Sequence, residues 1–494
     1  MPFKPEALDY EGVFPPRKHR RSESDAQTEV WPRSENFNSF ENPSASNAET
    51  STAPVTTGNW IRRRGHTLTF VALFLFSFIL YVRPYEFFPA LSSFMSMAFY
   101  TGIATLIIFA ISQLSVEGNL TARPKEINLV LLLTVAALLS MPLAVEPQLA
   151  WTTFTELLLK MVVIFIVLVN VVRTELRLKL LLLFVLAVSV YLSVNAINDY
   201  RLGIFGIGEL GTQRVAGRIK GLFENSNDLA LHLVTMIPIA AALGLSGRNP
   251  LKKLLYFGIT ALMVGAVTVT FSRGGFIGLV AATFVLVRRL GKKNRVATIG
   301  ALVFAVILFA AMAPGAFSSR ISTIFNSAAD LTGSASQRTE VLKRSIWVSL
   351  RYPIFGVGMG NFVHKSPRNL VTHNSYTQVS AEMGLAAMVV YILFQVYPLR
   401  RLRRIEEESR SHPDRRKFYY LSIGLQASLV GYMVSSFFGA VAYQWYVYYL
   451  VGYAVCLHRI FLIKHGPDNL ARELWENPFA KKRQQKLVPE TTAS

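Results

Sequence analysis

The sequence predicts an all-α integral membrane protein. Of its 494 residues, 52% are hydrophobic and only 16% are charged, which is more apolar surface than one soluble core can bury. Apolar stretches of about 20 residues, the length that crosses a bilayer as a helix, recur from Leu68 onward. The single cysteine, Cys456, lies inside the last stretch, so the sequence offers neither a disulfide framework nor a thiolate metal site.

The apolar stretches predict about twelve transmembrane helices within 65–314 and 376–463, separated by a large periplasmic loop at 315–375. The span at 67–83 is short and the one at 274–288 opens with two glycines, so a merged or tilted pair is the alternative to twelve. The predicted spans are 67–83, 91–113, 127–143, 154–172, 178–197, 228–246, 253–271, 274–288, 296–314, 376–398, 418–440 and 443–463.

Basic residues orient the chain. In a soluble protein the formal net charge of +21 would indicate nucleic-acid binding, but here Lys and Arg lie mostly in short connectors between apolar stretches. These connectors fall at every second crossing, which by the positive-inside rule places them and both termini in the cytoplasm. They contain Arg123 and Lys125; Arg173, Arg177 and Lys179; Arg248, Lys252 and Lys253; Arg288 to Arg295; and Arg400 to Lys417. No nucleic-acid partner is expected.

Both ends of the chain are predicted to be cytoplasmic tails. Residues 1–64 are rich in Pro, Ser, Asn and charge, which predicts disorder. No short apolar core follows their first basic cluster, so they do not form a secretory signal. This tail is either a solvated leader or a docking segment for a partner or anionic lipid. The second tail covers 464–494.

By the positive-inside rule, loops on the outward side are expected to contain few Lys and Arg residues. Basic residues that do lie in these loops are exceptions and therefore mark a candidate site. In the loop at about 198–227, Arg214, Arg218 and Lys220 precede Gly221-Leu222-Phe223-Glu224-Asn225-Ser226-Asn227-Asp228. Asn227 or Asp228 can cap the following helix, and a helix N-terminus beside Arg218 favours an anionic group such as a diphosphate. The alternative is an ordinary loop with snorkelling arginines.

A second outward arginine lies in Ser272-Arg273-Gly274-Gly275, between two spans with almost no connector. Gly274 and Gly278 are four residues apart, so close helix packing alone explains the glycines. Arg273 is either an interface anchor or a ligand for negative charge.

The large loop is strongly basic. Residues 338–350 predict a helix that lies along the bilayer surface, with Trp347 near the interface and Arg338 among its cations. Gly356-Val357-Gly358-Met359-Gly360 follows Pro353 and predicts a tight turn. A nucleotide-binding loop is rejected because no strand and helix flank the glycines.

The loop ends in His373-Asn374, where a helix is predicted to start. Tyr376, Thr377, Ser380 and Gly384 then follow His373 on one helical face. Glu382 points elsewhere and needs a partner inside the span, either an arginine or the substrate. Neutral imidazole can accept a hydroxyl proton near neutral pH, so His373 is a candidate general base, whereas a lone histidine is more often structural.

These motifs occur in a fixed order: Arg218-x-x-Gly221-x-Phe223-x-Asn225-x-Asn227, Ser272-Arg273-Gly274-Gly275, Arg338 with Trp347, Pro353 and Gly356-x-Gly358-x-Gly360, and His373-Asn374 with Gly384. The ordered set resembles the bacterial O-antigen ligase and O-antigen polymerase family of lipid-linked glycan transferases. The resemblance covers roughly 67–463 and includes Arg83-Pro84-Tyr85 after the first span. Ala387, where ligases commonly carry Gly, Thr or Val, and Ser226, where many members have proline, depart from the ligase branch.

The resemblance implies a GT-C-like, inverting glycosyltransferase of the bacterial inner membrane that needs neither metal nor cofactor. The donor is then a glycan on undecaprenyl diphosphate, and the acceptor a glycan, lipid A-core or protein. Arg218 and Arg273 match arginines that engage the diphosphate, and His373 matches a histidine that assists the acceptor. Further substrate contacts are predicted at Arg338, Arg214, Lys220, Asn225, Asn227, Asn374, Tyr376 and Glu382.

A carrier and a membrane scaffold are the two alternatives to a transferase. A carrier or flippase for lipid-linked oligosaccharides is expected to place charge inside spans along a central route and to contain inverted repeats, whereas this sequence concentrates charge in outward loops. A membrane scaffold is expected to tolerate substitution of His373 or Arg273. The sequence does not distinguish a ligase from a polymerase or from a protein O-glycosylating enzyme.

Overall fold

The computed structural model of the protein describes residues 66–87, 97–117, 121–122, 124–207, 213–219, 222–291 and 334–465. Over these residues the chain folds into helices joined by short turns. The main helices are α1 (Thr67–Val82), α2 (Met97–Glu117), α3 (Lys125–Ser140), α4 (Pro147–Val171), α5 (Glu175–Arg201), α6 (Ser226–Ser246), α7 (Pro250–Val269), α8 (Arg273–Leu290), α9 (Ser334–Arg351), α10 (Ser375–Met383), α11 (Leu385–Ser409), α12 (Arg416–Ser435) and α13 (Trp445–His465).

Shorter elements join these helices. α4 contains one π-helical segment at Phe154–Leu158. The one departure from the predicted all-α fold in the described residues is a two-residue antiparallel pair, β1 (Gly206–Ile207) with β2 (Gln213–Arg214). Short helical turns lie at Pro84–Phe87, Met141–Leu143, Asn361–Lys365, Pro367–Asn369, Pro413–Arg415 and Ser436–Phe438.

The multi-spanning architecture is confirmed. Nine helices in the described part of the chain are long and apolar enough to cross a membrane, namely α2 to α7 and α11 to α13, some together with an adjoining turn. α1 is apolar but has 16 residues, and α8 has 18 residues with arginines at both ends. The predicted span at 296–314, the tail at 1–64 and residues 466–494 lie outside the described residues, so the total of twelve stays a prediction.

Helices α6, α8 and α12 pack closely because small residues line their contacts. A Cβ atom built on Gly278 of α8 would overlap the Ser435 hydroxyl of α12. One built on Gly424 of α12 would lie 2.6 Å from the Cβ of Ala242 on α6. Small residues let helix backbones approach in a bilayer, where dispersion and hydrogen bonding replace the hydrophobic effect. The glycines of α8 therefore serve helix packing, as the sequence suggested, and bring its N-terminus to the end of α12.

An aromatic cluster on α13 fixes the same end of the bundle. The ring of Trp445 lies 4.4 Å from that of Tyr81 and 4.2 Å from that of Tyr446, between ring centroids. The hydroxyl of Tyr446 donates to the carbonyl oxygen of Leu222 at 2.9 Å. α13, buried along almost its whole length, thereby holds the segment that leads into α6.

The predicted span at 376–398 is wrong in one respect, because the chain breaks at Gly384 into α10 and α11. Gly384 adopts φ 92°, a conformation that L side chains rarely take. The turn after Pro353 packs against the break: Leu385 N–H donates to the Pro353 carbonyl at 2.8 Å, and Val357 N–H donates to that of Ala381 at 2.9 Å. The loop thus forms hydrogen bonds with backbone groups that have no intrahelical partner where the helix is broken.

The glycine turn itself is confirmed. Gly356, Gly358 and Gly360 all have positive φ, at 69°, 92° and 71°. A Cβ atom on Gly356 would overlap the backbone of Glu382 in α10. These glycines therefore let the large loop lie directly on α10.

Gly384→Ala is expected to lower the Tm of the purified protein. Alanine at this backbone conformation carries ~1–3 kcal/mol of strain, and its methyl group would overlap the Ile354 carbonyl oxygen. Gly258→Ala on α7 is the control, because a Cβ atom there meets nothing within 4 Å. Thermal unfolding in detergent measures both; equal Tm values for the two variants would contradict the broken helix.

Candidate functional site

Three helices begin with side-chain caps at the motifs singled out in the sequence. Asn225 caps α6, accepting from Asn227 N–H at 2.8 Å. Ser272 caps α8, accepting from Gly275 N–H at 3.2 Å. Asn374 caps α10, accepting from Tyr376 and Thr377 N–H at 2.9 and 3.0 Å. Each cap satisfies one or two of the first N–H groups and leaves the positive end of the helix dipole at its motif.

The cap of α6 differs from the prediction. We expected Asn227 or Asp228 to cap this helix, but it begins at Ser226 and Asn225 is the cap. Asn225 takes extended φ and ψ angles of −89° and 130°, from which its short side chain reaches the N–H two residues ahead. Asn227 therefore lies in the first turn, with its side chain available for another contact.

That contact joins α6 to α8. The Ser272 hydroxyl donates to the Asn227 side-chain oxygen at 2.9 Å while it caps its own helix. A Cβ atom on Gly275 would lie 2.6 Å from the Cβ of Ala230, so the two helices touch just inside this bond. Arg273, the first residue of α8, is thus placed beside the Asn225–Asn227 motif, which lies about 45 residues earlier in the chain.

The connector between α12 and α13 links α8 to α10. A Cβ atom on Gly274 would lie 2.7 Å from the Cβ of Phe438, and the Ser435 hydroxyl donates to the Gly274 carbonyl at 3.3 Å. On the other side, the Ser375 hydroxyl donates to the Gly439 carbonyl at 2.7 Å and accepts from Val441 N–H at 3.0 Å. We call the first turns of α6, α8 and α10, together with residues 436–444, the junction.

Arg218 lies at the edge of the junction and is held by Asp199, the residue that sequence reasoning missed. Its Nε and Nη2 atoms donate to the two carboxylate oxygens of Asp199, at 3.1 and 2.5 Å. This hydrogen bonding raises the pKa of Arg218, so the guanidinium stays charged. The adjacent Tyr200 ring lies 6.0 Å from that of Phe271, beside Arg273. The sequence signal for Asp199 is an acidic residue at the outer end of an otherwise apolar span.

The predicted residues of the first loop fall into three groups. Arg214 is buried, 8% exposed, in the short strand β2. Asn225 and Asn227 lie in the junction as described. Lys220 lies outside the described residues.

His373 and Asn374 both lie at the start of α10. His373 is partly buried and takes φ 51°, an unusual conformation for a residue with a side chain. It directly precedes the cap Asn374, which is 2% exposed. The side-chain nitrogen of Asn374 is buried and has no hydrogen-bond partner within the described part of the chain. The predicted helix start at Asn374 is confirmed.

Arg338 lies on α9, and the predicted helix at 338–350 is confirmed within Ser334–Arg351. α9 joins α10 through Ser349, whose hydroxyl lies 2.7 Å from that of Ser380. Arg338 is eleven residues earlier, roughly 16 Å along the helix axis. Trp347 is half exposed, and the guanidinium of Arg344 lies 4.3 Å from its ring centroid.

The side chains of Tyr376 and Glu382 bond to neighbouring parts of the protein, away from His373. The Tyr376 hydroxyl donates to the Met433 carbonyl at 2.8 Å. Glu382 is buried and accepts from the Tyr443 hydroxyl at 2.8 Å and from the backbone N–H groups of Gly360 and Phe362. Its partners are therefore these neutral donors and not the arginine considered from the sequence. They bind the glycine turn of the large loop to α10 and, through Tyr443, to the connector between α12 and α13.

The fold and the junction define a class: a multi-spanning helical membrane protein whose capped helix N-termini meet beside arginine and histidine. Residues 258–392 match the family model of the O-antigen ligase. The matched segment contains α8, α9 and α10, with Arg273, Arg338 and His373, and confirms the resemblance to the O-antigen ligase family predicted from the motifs. Arg218 and the Asn225–Asn227 motif lie before it. No curated protein matches the chain.

A double-mutant cycle at Asn227 and Ser272 tests the junction. Asn227→Ala and Ser272→Ala each remove one partner of the bond that joins α6 to α8, so we expect a coupling energy of about 0.5–1.5 kcal/mol in unfolding free energy. Ser246→Ala paired with Ser272→Ala is the control, since Ser246 lies at the other end of α6. Additive effects in both pairs would show that the two helix ends are not joined.

Proposed function

We propose that the protein is a membrane glycosyltransferase of the O-antigen ligase or polymerase type. It transfers a glycan from undecaprenyl diphosphate to an acceptor hydroxyl at the periplasmic face of the bacterial inner membrane, without a metal and with inversion. The observation that carries this proposal is the junction, where the Asn227–Ser272 bond brings two sequence motifs to one place. The match to the O-antigen ligase family supports the class of reaction.

The junction suits a diphosphate leaving group. Helix N-termini present N–H groups and a partial positive charge, and Arg273 is the first residue of α8. Arg218, anchored next to this end, adds a second guanidinium. As the bond between the anomeric carbon and the diphosphate oxygen breaks, negative charge grows on that oxygen, and groups already in place stabilise it most in the transition state.

Asp199 orients Arg218 without using all of its donors. The carboxylate engages Nε and Nη2, which leaves Nη1 outside the pair. The Arg218 side chain is 45% exposed and the Asp199 side chain 6%. A guanidinium has five N–H donors, so one edge can be fixed by the protein while the other binds a phosphate oxygen. Asp199 is then a positioning residue.

His373 supplies the base in this proposal. Its imidazole removes the proton of the acceptor hydroxyl as that oxygen bonds to the anomeric carbon, and the lipid diphosphate departs with the bonding electron pair from the opposite face. Inversion follows from this single displacement. Asn374 is adjacent to His373, and its buried amide nitrogen, which has no partner in the described ranges, can donate to a substrate oxygen.

The remaining predicted contacts act around this centre. Arg338 and Arg214 add positive charge for the donor, and Asn225 and Asn227 hold the first turn of α6. Tyr376 and Glu382 support the site from behind through their contacts with Met433 and Tyr443. We place the junction on the periplasmic side because the basic connectors, such as the one with Arg248, Lys252 and Lys253 after α6, lie at the opposite ends of the helices, where the positive-inside rule places the cytoplasm.

His373→Ala is expected to lower the transfer rate about 10²–10⁴-fold, the usual contribution of a general base. Purified protein in nanodiscs, supplied with an undecaprenyl diphosphate-linked glycan and an acceptor, measures transfer. His412→Ala is the control, since this exposed histidine lies in the connector between α11 and α12. Transfer that persists in His373→Ala removes the proposed base, and movement of the lipid without transfer favours a carrier.

Asp199→Asn is expected to raise KM for the lipid donor and lower kcat/KM about tenfold, because the amide keeps the shape but loses the charge-assisted pair with Arg218. Asp414→Asn is the matched control, since its side chain is 66% exposed in the connector between α11 and α12. An Asp199→Asn enzyme with unchanged KM and a lowered Tm would assign Asp199 to folding alone.

A further inference from the structure

A cationic cavity lies at the opposite end of the bundle from the junction. Its volume is about 180 Å³, room for several water molecules or one phosphate group. The turn between α11 and α12, the first turns of α12 and the end of the α6–α7 connector form its walls. Lining side chains include Arg248, Ser409, Arg410, His412, Arg416 and Tyr420.

The two ends of α6 separate this cavity from the candidate active site. α6 starts at the junction and ends at Ser246, two residues before Arg248. Its 21 residues span roughly 31 Å. α12 runs the other way, from Arg416 at the cavity to Ser435 at the junction. A ligand in the cavity therefore does not touch the residues proposed for transfer.

The walls of the cavity are positively charged. Three of its lining residues are arginines and one is histidine, and no acidic residue lines it in the part of the chain that the structure describes. The nearby acids are paired with other groups: Glu407 with Arg403 at 2.9 Å, Glu408 with Arg404 at 2.6 Å, Glu406 with Gln426 and Arg289, and Asp414, in the turn itself, with Arg415 at 3.9 Å. The cavity thus keeps a net positive charge.

Two buried polar atoms at the cavity have no hydrogen-bond partner among the residues that the structure describes. Ser409 is 2% exposed, and its hydroxyl is one of these two atoms. The Nε atom of Arg416 is also buried without a partner, while Nη2 of the same guanidinium donates to the Leu245 carbonyl at 2.8 Å. Buried polar groups are rarely left unpaired, so these atoms indicate a missing hydrogen-bond acceptor.

α12 also begins at the cavity. A short helical turn at Pro413–Arg415 leads directly into its first residue, Arg416, so the positive end of the helix dipole lies at the turn that lines the cavity. An arginine with an unused N–H and a serine hydroxyl can both donate to one phosphate group beside this helix end.

We propose that this cavity binds a phosphate group, carried either by the headgroup of an anionic phospholipid or by a free phosphate ion. With the orientation predicted from the basic connectors, it opens at the cytoplasmic face, where anionic headgroups meet basic pockets between helices. The bound group completes the hydrogen bonds of Ser409 and Arg416 and ties α6, α11 and α12 together.

Thermal unfolding of the full-length protein tests the site, because a ligand that binds the folded state raises its Tm. One arm titrates inorganic phosphate against protein in phosphatidylcholine nanodiscs. The second replaces part of the phosphatidylcholine with phosphatidylglycerol and adds no phosphate. Wild-type protein is expected to show a higher Tm in at least one arm; a rise only with phosphatidylglycerol identifies the headgroup, and a rise only with phosphate identifies the free ion.

Arg248→Gln and Ser409→Ala are the variants, and Arg403→Gln is the control. Arg403 lies in the same region but pairs with Glu407 outside the cavity, and its loss changes the net charge as Arg248→Gln does. We expect Arg248→Gln and Ser409→Ala each to need about tenfold more ligand for the same rise in Tm, whereas Arg403→Gln responds like wild type. Equal responses from all four proteins, or no rise in either arm, would overturn the proposal. Glycan transfer is not the readout, so failure here leaves the proposed function standing.

Discussion

The hydroxyl of Ser272 is the contact on which the candidate site depends. It caps α8 through Gly275 N–H and, in the same position, donates to the side chain of Asn227 in the first turn of α6. This one hydroxyl thereby joins the two helices at their N-terminal ends. Because membrane helices gain little from hydrophobic association, such a bond and the glycine contacts beside it determine how closely the two N-termini approach.

In the proposed function, the closeness of the helix ends allows a diphosphate to be stabilised at a membrane surface with few cations. Each N-terminus contributes partial positive charge without a titratable group, and Arg218 and Arg273 add full charges. The glycine turn of the large loop, bound to Glu382 and to the break at Gly384, holds the start of α10 against the same connector. The large loop and the membrane helices therefore build one site together.

The sequence predicted those features that depend on local chemistry. The cap at Asn374, the very short connector between α7 and α8 and the positive-φ glycines after Pro353 follow from residue type and spacing, and the structure has all three. It did not predict the break at Gly384, because a glycine in an apolar run is equally suited to helix packing. Nor did it predict Asp199 as the partner of Arg218, since that pairing depends on how a loop folds back on the end of α5. Asn225, and not Asn227, caps α6 in the structure. The two asparagines lie two residues apart and both have the short polar side chain that helix caps prefer, so residue type alone does not choose between them.

A structure of the protein bound to undecaprenyl diphosphate, determined by electron cryo-microscopy, tests the central claim most directly. We predict that the diphosphate lies at the junction, with phosphate oxygens within hydrogen-bond distance of Arg218 and Arg273 and with His373 on the side away from the lipid. A diphosphate bound elsewhere in the bundle, with these arginines retaining only protein contacts, would contradict it.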